Sequence, residues 1–431
     1  MGISEFRSDF EFAKTLDQQD DLKDFRKDFL FPKQKNGEAY NYFCGNSLGL
    51  QPIKTREYIN EELSAWSELG VEAHFKAKTP WYSYHESVTQ GLAEIVGAQT
   101  NEVVAMNSLT TNLHLALVSF YQPNAKRYKI LIEKGAFPSD YYAVKSQIRQ
   151  RGFDVESALV EITPREGEQI LRTEDILASI EKHGPELACV MLGGVQYLTG
   201  QLFDMKEIAS AAQNQNAYVG FDLAHAAGNV ELKLHDWNVD FAVWCSYKYL
   251  NSGAGGIAGF YVHERHSQKS KNGKFLPRFE GWWGTNKTTR FKMEADIDPI
   301  LSAEAWQLSN PPIFQLAALR ASLELFQKAQ MSRIRKKSVK LTAYFEYLLD
   351  QMLGSDISII TPRQYDARGA QLSLRIGAQK DRSFIERLAD HGVVCDFRMP
   401  DIIRAAPAPL YNNFSDVYAL VNAIKTALRN S

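Results

Sequence analysis

The chain has 431 residues, of which 45% are hydrophobic and 23% charged, a balance typical of folded globular proteins rather than disordered or fibrous ones. Its 49 basic and 51 acidic residues give a net charge of -2 and are scattered along the sequence. No single-sign field is available to attract nucleic acid or an anionic membrane surface. Length alone predicts two or three domains, and we expect one large and one small.

The cysteine content and the N-terminus indicate a reducing compartment. The four cysteines lie far apart in apolar, strand-like segments and form no CxxC pair, so neither a disulfide framework nor a zinc site is predicted. No metal motif such as HExxH occurs. The first 25 residues are charged throughout, and no window approaches the length of a membrane span. The sequence therefore predicts a cytoplasmic protein.

Short apolar segments alternate with helical periodicity through the first three quarters of the chain. After a charged, partly helical arm, a helix is predicted at about 109–120 among six strands, Val103–Met106, Lys129–Ile132, Ala188–Leu192, Ala217–Phe221, Phe241–Trp244 and Gly256–Val262. This alternation predicts an α/β fold with a mostly parallel sheet covered by helices on both faces.

The pattern changes after Pro311-Pro312. One long helical stretch is predicted from Ile313 to about Met352. A smaller unit follows, with a strand at Leu372–Ile376, a helix at Arg382–His391, strands at Val393–Arg398 and Ile402–Pro407, and a last helix with Ser415 as its N-cap. We therefore divide the chain into an arm of residues 1–45 that contributes to the small domain, a large domain of 46–312, and a linking helix with the small domain at 313–431.

Two of the predicted strands lead directly into titratable residues. The segment Tyr218–Asp222 is followed by Leu-Ala-His225, and the strand Phe241–Trp244 by Cys-Ser-Tyr-Lys248. In an open α/β sheet, ligands bind beyond the carboxyl ends of the strands, where Asp222 and Lys248 would converge. A buried lysine is costly unless it serves a purpose, because a free ammonium resists desolvation, and Schiff-base formation removes that cost.

These residues match the needs of pyridoxal 5'-phosphate (PLP). That cofactor needs a lysine for its aldehyde carbon, a carboxylate beside its pyridine nitrogen, an aromatic neighbour for its ring and donors for its phosphate. Asp222 would keep the nitrogen protonated. His225 would stack on the ring or reach its phenolic oxygen, and a helix that begins near Leu109-Thr110 would bind the phosphate.

A competing motif is the glycine-rich segment Gly253–Ala258, which matches the GxGxxA variant of the dinucleotide fingerprint. A dinucleotide turn opens a helix, whereas the residues that follow this segment continue as a strand. The sequence therefore argues against a nicotinamide cofactor.

Taken in order, several motifs resemble kynureninase, a PLP hydrolase of the aspartate aminotransferase fold group, from about Tyr42 to Tyr411. The segments that carry the likeness are Phe43-Cys-Gly-Asn-Ser47-Leu-Gly-Leu, Asn107-Ser-Leu109-Thr110-Thr-Asn, Phe137-Pro-Ser139-Asp140, Tyr197-Leu-Thr-Gly-Gln, Asp222-Leu-Ala-His225, Ser246-Tyr247-Lys248-Tyr-Leu-Asn, Gly281-Trp282-Trp-Gly, Ser309-Asn310-Pro-Pro and Ile403-Arg404-Ala-Ala-Pro. The resemblance implies PLP fold-type I, with a seven-stranded sheet in the large domain.

The resemblance also implies a role for each motif residue. Lys248 is similar to the Schiff-base lysine and α-proton base, and Asp222 and Tyr247 complete the catalytic set, with Tyr247 our candidate for the general acid. The cofactor contacts implied are Leu109, Thr110, Phe137, Ser139, Asp140, Asp222, His225, Tyr247, Lys248, Trp282 and Asn310. Gly193 falls where some relatives carry serine. For the substrate, Arg404 is similar to the arginine that binds the carboxylate, while His74, Asn310 and Ser47 match positions near the aryl ketone.

The implied reaction is hydrolysis of L-kynurenine to anthranilate and L-alanine, or of 3-hydroxykynurenine to 3-hydroxyanthranilate and L-alanine. It belongs to tryptophan catabolism, the kynurenine pathway, or to NAD biosynthesis, and the family implies a homodimer. Another PLP β-lyase such as a cysteine desulfurase remains as an alternative, although it needs an exposed cysteine nucleophile. A non-catalytic protein on the same fold would have no need of both Lys248 and Arg404.

Overall fold

The computed structural model describes residues 6–377 and 382–429. The outermost residues of the predicted arm and small domain, 1–5 and 430–431, lie outside this description, as do residues 378–381. The helices are α1 (Phe10–Gln18), α2 (Lys54–Leu69), α3 (Ala73–Lys76), α4 (Glu86–Val96), α5 (Leu109–Phe120), α6 (Pro138–Gln150), α7 (Val155–Ala158), α8 (Thr173–His183), α9 (Met205–Asn214), α10 (Ile313–Ala329), α11 (Met331–Met352), α12 (Ser383–Asp390) and α13 (Phe414–Arg429). Within the described part of the chain, none of them has the length and apolar character needed to cross a membrane.

The strands form one large and one smaller sheet, with two short pairs beside them. They are β1 (Phe29–Leu30), β2 (Asn41–Tyr42), β3 (Gln51–Pro52), β4 (Val103–Ala105), β5 (Lys129–Glu133), β6 (Leu159–Ile162), β7 (Leu187–Gly193), β8 (Tyr218–Asp222), β9 (Phe241–Trp244), β10 (Gly259–Val262), β11 (Ser358–Ile359), β12 (Leu372–Arg375), β13 (Val393–Val394), β14 (Asp396–Arg398) and β15 (Ile402–Ala405).

The large sheet has seven strands in the order β4-β10-β9-β8-β7-β5-β6. Strands β9, β8, β7, β5 and β6 pair in parallel, whereas β10 runs antiparallel to both of its neighbours. The predicted fold class, a mostly parallel seven-stranded sheet, is therefore confirmed. Because the parallel strands point the same way, their carboxyl ends lie along one edge of the sheet.

Both faces of this sheet are buried, which explains why its strands are continuously apolar. In β7, Val190 and Leu192 belong to one hydrophobic cluster, while Cys189 and Met191 belong to another. The alternation follows from the two-residue period of a strand, which sends successive side chains to opposite faces. Helices pack over both clusters, so the sheet is the middle layer of the structure.

The smaller sheet is antiparallel, in the order β11-β12-β15-β14, and its two faces differ. Leu374 and Ile403 face a third hydrophobic cluster, which includes residues of α11 and α13. On the opposite face, Ser373 lies across from Arg404 on the paired strand. This face is polar, and it is the one that reaches the site described below.

Two predicted elements differ in the structure, and one strand was not predicted. The single helix predicted from Ile313 to about Met352 is two helices, since the backbone turns at Gln330, where φ is 63°. The strand predicted at Val393–Arg398 is two, because β13 pairs with β2 and β14 pairs with β15. Strand β6 was not predicted, because its partly exposed residues alternate less clearly than those of central strands.

The predicted N-cap of the last helix is also wrong. Helix α13 begins at Phe414, so Ser415 lies within its first turn. Asn413 caps the helix instead, since its Oδ1 accepts the N–H of Asp416 at 2.7 Å, and the carboxylate of Asp17 of α1 also accepts the N–H groups of Phe414 at 2.6 Å and Ser415 at 3.2 Å. Asp17 also accepts the Ser415 hydroxyl at 2.5 Å, so the serine side chain is bonded to the cap. This contact ties the N-terminal arm to the last helix.

Candidate active site

A cavity of about 320 Å³ opens at the carboxyl edge of the large sheet. Eleven of the predicted site residues line it: Ser47, Leu109, Thr110, Phe137, Ser139, Asp140, Asp222, His225, Tyr247, Lys248 and Arg404. Asp222 is the last residue of β8, and Lys248 follows β9 by four residues. The convergence expected from their positions is therefore present.

Lys248 lies at the centre of the cavity wall. Its Nζ is 3.0 Å from Nε2 of His225 and 5.9 Å from the ring centroid of Phe137. Burial, with the positive charges of Lys248, Arg404 and Arg398, holds the pKa of His225 well below its usual range. A neutral imidazole results, and its Nε2 accepts a hydrogen bond from the Lys248 ammonium. Phe137, in turn, contacts Tyr197 edge to face, with centroids 5.3 Å apart.

Two carboxyl groups meet behind the lysine. Asp222 accepts the backbone N–H of Ala224 at 2.7 Å and is attracted by Lys248, but burial is stronger and raises its pKa. Burial next to Asp222 raises the pKa of Asp140 well above its usual range. Two neighbouring buried carboxyl groups do not both ionise, because their negative charges would repel each other. We therefore assign the shared proton to Asp140 and the negative charge to Asp222.

The start of helix α5 provides a binding site for an anion in the cavity. Helix α5 begins at Leu109, and the N–H groups of its first turn have no acceptor within the helix. The Ser108 hydroxyl is hydrogen-bonded to the Thr111 hydroxyl at 3.0 Å, so it does not cap the backbone N–H groups at the start of the helix. Leu109 and Thr110 face the cavity. Tyr247 also lines it, and burial raises the pKa of its phenol, which is therefore protonated at neutral pH.

Arg404 enters the cavity from β15 of the smaller sheet. Arg404 is only 1% exposed to solvent. Its Nη1 donates to the carbonyl oxygen of Tyr197 at 2.7 Å, and its Nη2 donates to Asp396. Among the described residues, its Nε has no hydrogen-bond partner. A buried guanidinium with a spare donor is suited to bind a carboxylate.

Sequence reasoning missed Glu133 and Arg398 of the cavity wall, and it gave no role to Asn46 and Tyr197, although both lie in the quoted motifs. Glu133 is the last residue of β5, and its Oε2 accepts the N–H of Gly193 at 3.1 Å. Burial raises the pKa of Glu133 to about 7. An acid that ends an apolar strand is the same signal that identified Asp222, so Glu133 could have been found.

Three predicted residues are not brought to the cavity. Trp282 is 47% exposed and lines a different surface pocket. His74 contacts Trp81 edge to face, with centroids 5.6 Å apart, and the exposed Asn310 accepts a hydrogen bond from the Ser309 hydroxyl at 3.1 Å. In one copy of the chain, these three residues therefore lie outside the site.

The cavity fits PLP. It offers an amine at Lys248, a charged carboxylate at Asp222, an aromatic face at Phe137 and helix N–H groups for a phosphate. The buried Nδ1 of His225 is unpaired within the described residues, which leaves a donor or acceptor for a bound ligand. The segment Gly253–Ala258 leads into strand β10 rather than a helix, as expected, so it does not form a dinucleotide turn.

Solved structures that align with this chain include one with a covalently linked PLP cofactor. The apo cysteine desulfurase from Thermococcus onnurineus NA1 aligns with a TM-score of 0.75 at 17% identity, covering 95% of this chain and 98% of that one. A C-DES variant with glycine covalently linked to its PLP cofactor aligns with a TM-score of 0.71 at 19% identity, covering 89% and 96%. These identities establish the fold alone. The fold and the site together define a PLP-dependent enzyme of fold-type I.

Sequence comparisons identify the family. Residues 334–424 match the model of the kynureninase C-terminal domain. Kynureninase from Myxococcus xanthus is 56% identical over 420 residues, 97% of each chain, and kynureninase from Nematostella vectensis is 48% identical over 97% of this chain and 94% of its own. The chain belongs to the kynureninase family, as the motifs predicted. Cysteine desulfurases are only distant neighbours by fold, and the four cysteines here are buried free thiols.

Proposed function

We propose that this protein hydrolyses L-kynurenine, or its 3-hydroxy derivative, to anthranilate or 3-hydroxyanthranilate and L-alanine. The observation that carries the proposal is that one cavity holds both the Lys248 amine and the buried Arg404 guanidinium. An amino acid bound there has its carboxylate fixed by Arg404 and its α-carbon near Lys248. The family membership supports the same reaction.

When bound, PLP supplies an electron sink for negative charge at the α-carbon of the substrate. Asp222 holds a negative charge in the cavity and would keep the pyridine nitrogen of the bound cofactor protonated. Lys248 would remove the α-proton, and neutral His225 accepts a hydrogen bond from the lysine rather than repelling it. The N-terminus of α5 would bind the phosphate.

In the remaining steps, one water molecule is consumed and the substrate is cleaved into its two products. The oxygen of water adds to the ketone carbon, the bond between the β- and γ-carbons breaks, and that oxygen remains in the anthranilate carboxylate. The β-carbon then needs a proton to become the methyl group of alanine. We assign that proton to the Tyr247 hydroxyl, which burial keeps protonated.

We also propose that the protein is a homodimer whose sites include residues from both copies. Phe75 and Phe291 are exposed, and the half-buried Tyr82 lies between them, with its ring centroid 5.7 Å from that of each. The ring centroid of Trp282 lies 5.6 Å from that of Phe291, and His74 precedes Phe75 in the sequence. Predicted site residues therefore lie on an apolar surface, which supports their delivery to the cavity of a second copy.

A cytoplasmic location and the three-segment domain division complete the proposal. The four buried free thiols support a reducing compartment. Phe12 and Phe43 of the arm pack in the cluster of the smaller sheet, which supports a contribution of the arm to the small domain, whereas Leu316 and Leu319 of α10 pack in the cluster of the large sheet, which supports the role of this segment as a link between the domains.

The deciding experiment mixes PLP-loaded protein with L-kynurenine and, separately, with 3-hydroxykynurenine. Aryl product is followed by fluorescence and alanine release by a coupled assay, with Lys248→Ala as the inactive control. Formation of both products in equal amounts supports the proposal. A cofactor spectrum without products would contradict it. The ratio of kcat/KM for the two substrates gives the preference, which a single hydroxyl shifts by about 1–3 kcal/mol.

A further inference from the structure

A second arginine reaches the cavity beside Arg404. Strands β14 and β15 pair so that Asp396 lies across from Arg404. Arg398 is two residues from Asp396 on the same strand, so its side chain points to the same face of the sheet. Arg398 lines the cavity, although the sequence motifs do not single it out.

Both arginines are held by one carboxylate. The Nη2 of Arg398 donates to Oδ2 of Asp396 at 3.1 Å, and the Nη2 of Arg404 donates to the same oxygen. In the described part of the structure, neither Nε has a hydrogen-bond partner, and both Nε atoms are buried. Two charged side chains are thus held in place at the cavity, each with its Nε–H donor unused.

The charges of these three residues decide what they attract. Arg404 and Asp396 alone form a neutral pair, which has little net attraction for an anion. The second arginine gives the cluster a net charge of about +1, counted from two guanidinium groups and one carboxylate. Within this cluster, the net attraction for an incoming carboxylate therefore comes from Arg398, even where Arg404 makes the closer contact.

We propose that Arg398 is a second recognition residue for the carboxylate of the amino-acid substrate. The proposal deepens the proposed function and rests on it for the identity of the substrate. It assigns to Arg398 a preference for ligands that carry an α-carboxylate over otherwise similar amines.

The test uses the PLP-loaded protein and reads ligand binding from the visible spectrum of the cofactor. L-Alanine is compared with ethylamine, which has the same skeleton without the carboxylate. Arg398→Gln is expected to raise the Kd for L-alanine about tenfold or more, because a charged hydrogen bond and the net charge are both lost. The Kd for ethylamine is expected to stay within about twofold.

The matched control is Arg375→Gln. Arg375 lies on the same face of the smaller sheet but bonds to Gln169 at 3.1 Å and lies 3.6 Å from Asp401. It does not line the cavity, so its variant should bind both ligands as the unaltered protein does. Arg398→Lys retains the charge and is expected to recover most of the affinity for L-alanine.

Three results would overturn the proposal. The first is unchanged binding of L-alanine in Arg398→Gln, and the second is an equal loss for L-alanine and ethylamine, which would indicate a structural role only. The third is an Arg398→Lys variant as weak as Arg398→Gln, which would contradict the charge argument. Because the titration requires no turnover, a protein that fails to hydrolyse kynurenine yet shows the Arg398 effect would contradict the proposed function and not this inference.

Discussion

Tyr247 is the residue with the sharpest individual prediction. Its phenol is kept protonated by burial and lines the cavity beside Lys248. Tyr247→Phe removes the proton donor and keeps the ring, so we expect kcat to fall by about 10²- to 10⁴-fold. The measurement is steady-state release of alanine from L-kynurenine, with the visible spectrum confirming that cofactor is still bound.

The control for this variant is Tyr142→Phe, since Tyr142 is 71% exposed and does not line the cavity. Its kcat should equal that of the unaltered protein. Full turnover by Tyr247→Phe would show that the β-carbon receives its proton from another group.

At the scale of elements, the cap that Asp17 provides to α13 is expected to matter for stability. Asp17→Ala leaves the N–H groups of Phe414 and Ser415 without their acceptor, and we expect a loss of about 1–2 kcal/mol in the free energy of unfolding. Urea denaturation measures this. The control is Asp24→Ala, which removes only an exposed ion pair with Lys27, and equal stability of the two variants would contradict the capping role.

A second element-scale prediction concerns pH. Buried Glu102 accepts the N–H groups of Gln99 and Glu264 at 2.9 Å each and contacts His235 Nδ1 at 3.0 Å, joining the start of β4 to the turn after β10. The bond to Glu102 raises the pKa of His235. A raised pKa in the folded state means that this stabilisation is complete below the unfolded pKa of about 6.5 and is lost as pH rises through the folded value.

His235→Asn should therefore lower stability by about 1 kcal/mol at pH 6 and by less at pH 9. Thermal unfolding at the two pH values tests this, with the exposed His391→Asn as the control. A deficit that grows with pH would contradict the assignment. Burial lowers the pKa of the neighbouring His263 to about 4, so His263 stays neutral across this range.

The elements differ in how well their sequence predicts them. Strand β8 and helix α5 are well predicted because burial imposes a clear apolar pattern on each. The break at Gln330 has no such signal, since its neighbours are all good helix formers and no glycine or proline marks it. The cap of α13 was predicted at Ser415, but the local N-cap lies two residues earlier, where Asn413 Oδ1 accepts the N–H of Asp416 at 2.7 Å. The second acceptor, Asp17, is about four hundred residues away along the chain, and no local pattern reveals it.

For the whole molecule, the central prediction is that two copies share each site. Lys248→Ala and Trp282→Ala should each be nearly inactive alone. Mixed and allowed to exchange subunits, they should regain activity, because a hybrid dimer contains one site with both residues intact. Random exchange gives roughly a quarter of the normal number of sites.

Activity after mixing is compared with each variant incubated by itself, and light scattering establishes the oligomeric state. No recovery despite proven exchange would place both residues in one copy's site. The double variant Lys248→Ala/Trp282→Ala mixed with Lys248→Ala is the negative control, since no combination of those chains restores a lysine.

Sequence reasoning identified the residues around the reactive lysine better than the residues in the outer parts of the site. Asp222 ends one buried strand and Lys248 closely follows another, and such positions converge at the carboxyl edge of a parallel sheet. Arg398 was missed because one charged residue in a short outer strand looks like a solvated side chain until its pairing with Asp396 is known. Trp282 was associated with the site by motif, but a single chain's sequence carries no information on which copy supplies it.

The burial of the four cysteines makes them internal reporters of unfolding. Cys189 lies in a core of the large sheet and Cys395 in that of the smaller sheet. Burial raises the pKa of Cys44 to about 12 and of Cys245 to about 11, so thiolate is scarce as well as inaccessible in the folded protein. Pulse labelling with a thiol reagent during denaturation, followed by peptide mapping, would time the opening of each core separately without any probe being added to the chain.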